Sequence, residues 1–147
     1  MESDVINVLN DLLKSEEMSV SVYDRYIQSV DDRIVKDEFL RIKQNHNTHA
    51  SELADRVNAL GGKPQHNTGF AGFIANARLA INEVKNKNPI DTLKKAYDGE
   101  DRGVITAETV LNVDMDEESK KLVNKVLSDG HAHLSKMAHL MSHHEVK

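Results

Sequence analysis

Among the ionisable residues that stand where helical spacing calls for apolar ones, Glu16, His49, Glu100 and His133 are the primary candidates for metal ligation. The chain has eight His and no Cys, so any metal must be held by carboxylate and imidazole donors. Those donors suit iron, with manganese or zinc as alternatives. Buried together without a metal, carboxylates and imidazoles are costly unless they pair with one another. His46, Glu52 and His131 lie close to these positions along the sequence and are secondary candidates. His46 by itself reads as a hydrogen-bonding neighbour, and the triplet spacing of His49 and Glu52 puts both on one helix face.

The elements that must position these residues are read from punctuation and apolar period. From Met1 to Leu60 the chain contains neither Gly nor Pro, and Gly61-Gly62 with Pro64 ends that block as a helix terminus does. Val30-Asp31-Asp32-Arg33 is the turn inside it, Asn88-Pro89 reads as a cap and a first-turn proline, and Asn112 to Glu118 is a second polar break. The pattern predicts helices over 4–30, 34–60, 90–111 and 117–142, with a short helix near 70–86. The apolar stripes run through Ile6, Leu9, Leu13, Val20, Tyr23, Ile27 and Val30; through Val35, Phe39, Ile42, Leu53, Val57 and Leu60; through Leu93, Tyr97, Val104, Ala107 and Leu111; and through Val123, Val126, Met137 and Leu140. Glu16 breaks the first stripe, His46 and His49 the second, Glu100 the third, and Gly130 and His133 the fourth.

Sliding the chain along itself until Leu9 falls on Leu93 superimposes the halves, and it places Glu16 on Glu100 and His49 on His133. Heptad register alone aligns apolar stripes, but it does not place Glu on Glu and His on His; a duplicated helix hairpin does. Depth agrees. Glu16 and His49 are almost equally far along the chain from the turn near Arg33, and so are Glu100 and His133 from the turn near Asp116. At a rise of about 1.5 Å per residue, each pair returns to one level. The expected fold is therefore all-α, a single domain over 1–147: hairpin 4–60, crossover 61–88 and hairpin 89–142. The long crossover makes the second and third helices parallel.

This plan, with Glu on the first and third helices and His on the second and fourth, resembles the ferritin-like superfamily. That superfamily includes the ferritins, bacterioferritins and rubrerythrins, which hold two irons in the bundle core. Leu60-Gly61-Gly62-Lys63-Pro64 and Gly99-Glu100-Asp101 look similar to a bacterial ferritin-like family of largely unknown function, some members having stress-linked expression. The resemblance implies metal ligation by Glu16, Glu100, His49 and His133, with one or two iron ions and redox chemistry on oxygen or peroxide, or ferrous oxidation. It departs from the di-iron pattern of Glu-x-x-His on the second and fourth helices, because His46 and Gly130 occupy the two bridging Glu positions. Glu52, Glu17, Asp101 and His131 are the available substitutes.

The alternative is a non-catalytic stress-response or structural bundle with a degenerate site. In it Glu16 and Glu100 pair with Lys or Arg, or His49 and His133 satisfy them without metal. Tyr23, Tyr97, Met115, Met137 and Met141 read as core packing. His139, His143 and His144 read as a solvated helix end, where imidazole suits the dipole, although His139 and His143 have chelating spacing. Net charge −5 and only 4% aromatic residues argue against nucleic acid. No apolar run approaches a bilayer span, and the first residues lack the basic and apolar regions of a secretory signal, which predicts a cytoplasmic protein. The net charge does not oppose a homodimer formed along an exposed helix face.

Overall fold

The computed structural model describes residues 2–67 and 88–145. Four helices span them: α1 (Glu2–Ser29), α2 (Arg33–Ala59), α3 (Pro89–Val110) and α4 (Glu117–Glu145). Each start after the first is set by a side-chain cap. Asp32 accepts from the Val35 amide at 3.0 Å, Asn88 from Ile90 at 2.9 Å, and Asp116 from Ser119 at 3.0 Å. The glycine pair ends α2 in a Schellman motif: Gly61 N–H reaches Asn58 O at 3.0 Å and Gly62 N–H reaches Val57 O at 2.9 Å. Gly61 has φ of 85°, which favours glycine, and a Cβ on Gly62 would lie 2.8 Å from Ile6 Cγ2 and force that side chain to shift.

The helices form two antiparallel hairpins, α1 with α2 and α3 with α4, and α1 lies beside α3 while α2 lies beside α4. One apolar cluster joins Val5, Leu9 and Leu13 to Leu53 and Val57, to Ala107 and Val110, and to Val123 and Val126. A second joins Tyr23, Phe39 and Ile42 to Leu93 and Ala96, and to Leu134, Met137 and Leu140. The start of α1 thus meets the end of α3, and the ends of α2 and α3 share one cluster, so α2 and α3 run parallel as the long crossover requires. The first residues of that crossover follow α1. Asn10, itself buried, donates to Lys63 O at 3.2 Å and accepts from Gln65 N–H at 2.8 Å, while Glu17 accepts from Asn67 N–H at 2.8 Å. The short helix expected near 70–86 lies outside the described residues.

Helix limits agree with the sequence reading to within three residues at each end. The stripe of α3 differs in detail: Ala96 and Val110 are buried where Tyr97 and Leu111 were expected, and those two larger residues pack from the edge. On α1, Val5 and Leu12 are buried although the expected stripe does not include them, while Ile6 and Ile27, which it does include, are half-buried. A stripe drifts around a helix of 3.6 residues per turn, and three-four spacing does not distinguish its centre from its rim. No helix among the described residues is long and apolar enough to cross a membrane.

Candidate metal centre

Between the two apolar clusters lies a polar layer to which every helix contributes. Glu16 comes from α1, His46 and His49 from α2, Glu100 from α3 and His133 from α4, and all five are buried. The spacing Phe39, Ile42, His46, His49, Leu53 keeps both imidazoles on the inward face of α2.

Each hairpin pairs its own carboxylate with its own histidine. His49 Nδ1 lies 2.5 Å from Glu16 Oε1, and His133 Nδ1 lies 3.0 Å from Glu100 Oε2. His46 connects the halves, with Nδ1 2.8 Å from Glu16 Oε2 and Nε2 3.0 Å from Glu100 Oε1. Tyr23 donates its hydroxyl to Glu100 Oε1 at 2.6 Å and stacks on the His46 ring, with centroids 5.6 Å apart. Asp129 accepts from His49 Nε2 at 2.7 Å. Among the described residues no buried side-chain nitrogen or oxygen is without a partner.

Burial pushes the Glu16 carboxyl up, but the charge and hydrogen bond of His46 and the bond from His49 hold it below its ordinary value. Glu100 is likewise pushed up by burial and pulled well below the carboxylate range by bonds from His133 and His46. Burial disfavours charge on His46, yet its two carboxylate partners outweigh it and raise the ring from 6.5 to about 10. His49 is raised too: burial opposes its charge, and Glu16 and then Asp129 favour it. Burial and then the Glu100 charge push the Tyr23 phenol well above 10.0. Both ring nitrogens of His46 thus face carboxylates, Nδ1 that of Glu16 and Nε2 that of Glu100.

The donors fit a divalent transition metal. Glu16, His46 and His49 offer ligand atoms within 4.8 Å of one another, and so do His46, Glu100 and His133. Each triad is two imidazoles and one carboxylate, the donor set of non-haem ferrous centres that keep open coordination positions.

The four primary sequence candidates therefore meet in one layer. His46 belongs to it equally, and its signal was its place on the buried stripe three residues before His49. Glu52 does not reach the layer; it pairs with Lys125 at 2.8 Å on the surface. His131 is exposed on α4. Tyr23 sits on the first stripe as expected, but its hydroxyl reaches Glu100, which no spacing reveals. Asp129 was not anticipated, since it lies off the α4 stripe. In the tail, His139 and His143 are exposed, and His144 lies 3.5 Å from Asp32.

Residues 4–113 match DUF2383, a family described as a domain of unknown function. Comparison with curated proteins gives no match. Among solved structures, a two-domain protein from Anabaena variabilis with DJ-1/ThiJ/PfpI-like and ferritin-like domains aligns with a TM-score of 0.80 at 18% identity. The alignment covers 98% of this chain but only 40% of that protein. At that identity the likeness concerns the fold, which is a ferritin-like bundle.

Proposed function

The chain belongs to the DUF2383 family, and we propose that its buried layer binds divalent iron for redox chemistry on oxygen or peroxide, or for ferrous oxidation. The observation that carries this reading is the pair of triads, each with two imidazoles and one carboxylate, at the level where the apolar stripes are interrupted. Glu16, His49, Glu100 and His133 hold the metal, with His46 as a further donor. Bound iron supplies a one-electron couple and open positions for the oxidant. The protein's own part is to fix the imidazoles and exclude bulk water. Asp129 orients His49 through Nε2, and Tyr23 orients Glu100 through its hydroxyl.

One observation favours a second reading, a structural polar layer that holds the hairpins in register without metal. Every fully buried side-chain nitrogen and oxygen among the described residues has a hydrogen-bond partner as the layer stands, and such layers can specify register at some cost in stability. Elemental analysis and anaerobic ferrous titration of untagged protein separate the two. The metal reading expects iron at stoichiometric levels in wild type and its loss in Glu16→Gln and Glu100→Gln, which keep side-chain size. Equal metal content in wild type and both variants, or none in wild type, leaves the structural reading.

A further inference from the structure

The internal repeat relates Glu16 to Glu100 and His49 to His133, but it relates His46 to Gly130. There is thus one central imidazole for two half-sites. A side chain at Gly130 is crowded by α3, because a Cβ there would lie 2.8 Å from Val104 Cγ2 and would force that side chain to shift. Each half-site by itself has one carboxylate and one histidine, and among the described residues His46 completes each to a triad. The ring serves them through different atoms: Nδ1 faces Glu16 and Nε2 faces Glu100.

We propose that His46 is a bridging ligand, binding one divalent ion through Nδ1 with Glu16 and His49 and a second through Nε2 with Glu100 and His133. This deepens the metal-centre reading and rests on it.

The placement of the ring carries the proposal. Both nitrogens are aimed at carboxylates of different helices, at 2.8 and 3.0 Å. A cation occupies the direction in which a ring nitrogen otherwise donates its hydrogen bond, and each ion takes the place of one ring proton. Loading both half-sites releases both protons to solvent and leaves an imidazolate. Its negative charge adds to those of Glu16 and Glu100 in opposing two dications, in a layer with few carboxylates. The ring cannot rotate away from either half-site without breaking its stacking on Tyr23 and a bond to a buried carboxylate.

The bridge fixes an observable separation. With metal–nitrogen bonds of about 2.1 Å, ions on the two nitrogens of one imidazole stand about 6 Å apart, whereas a paired-metal site sharing oxygen ligands holds its ions at roughly 3.5–4 Å. The test is an anomalous difference map at the iron edge for the full chain crystallised anaerobically with ferrous iron, together with iron counted per chain. The expected result is two peaks at the wider separation, one on either side of His46, and loss of at least one ion in His46→Ala. A single peak, two peaks at the shorter separation, or two ions retained in His46→Ala overturns the bridge and leaves the metal centre standing. Absence of any iron in the layer overturns both. If His46→Ala does not fold, the wild-type separation decides alone.

Discussion

Tyr23 donates its hydroxyl to Glu100 Oε1 across 2.6 Å, so the oxygen that accepts from His46 Nε2 is also held from α1. The Glu100 carboxylate is thereby fixed by three helices besides its own, because His133 bonds its second oxygen from α4. Tyr23→Phe removes one of those bonds and keeps the ring that stacks on His46. A hydrogen bond to a charged group contributes roughly 1.5–3 kcal/mol. The variant should fold and lose stability in that range, read from urea unfolding of the metal-free protein. A midpoint equal to wild type contradicts the bond.

The layer also sets a pH window for metal-free stability. Glu16 and Glu100 are held below the ordinary value of 4.5, so their contribution is complete above that value and is lost as pH falls through their lowered values. His46 is raised from 6.5 to about 10, so its contribution is complete below 6.5 and is lost as pH rises toward about 10. Both contributions are complete only between about 4.5 and 6.5. Thermal melts in chelator should therefore peak in that window and decline on the alkaline side. Metal affinity should move the other way, since each ion competes with ring protons. A metal-free midpoint that climbs steadily above pH 6.5 opposes this account.

Much of this was legible in the sequence, and for definite reasons. Gly61-Gly62, Asp32 and Asn88-Pro89 act through local backbone chemistry, so the helix ends could be read without tertiary information. Glu16, Glu100, His49 and His133 stood out because each interrupts an apolar stripe and the repeat preserves all four. The centrality of His46 was not legible, because its importance lies in facing two helices at once. A stripe records burial and says nothing about how many partners a side chain reaches. Asp129 lies on the rim of α4, about a third exposed, where a carboxylate is the ordinary residue. Only the approach of α2 to α4 gives it His49 as a partner.

Asp129 offers a cleaner handle on the centre than any buried residue. It accepts from His49 Nε2 at 2.7 Å and its side chain is partly exposed, so Asp129→Asn should fold. The amide keeps the size but not the charge that orients and polarises the imidazole. Partners of that kind typically change metal affinity by about 10–100-fold. Ferrous titration should show a weakening of that order with the number of bound ions unchanged. Unaltered affinity removes Asp129 from the centre and leaves it a structural contact.

Gly130 tests why the second half-site has no counterpart of His46. Alanine is the better helix former by about 1 kcal/mol, so an open site would make Gly130→Ala stabilising. Here the new Cβ would meet Val104 Cγ2 at 2.8 Å. Valine is β-branched and stiff, so relief requires a shift of α3 against α4, and overpacking of this kind costs about 1–3 kcal/mol. Gly130→Ala should therefore be neutral to destabilising. Val104→Ala alone should cost stability by leaving a cavity. The double variant should be more stable than the sum of the two changes predicts, because the new methyl enters the space the valine vacates. A double-mutant cycle from urea unfolding measures that coupling. Strict additivity means that α3 and α4 are less closely packed at the polar layer than the structure requires, and the asymmetry between His46 and Gly130 then needs a different cause.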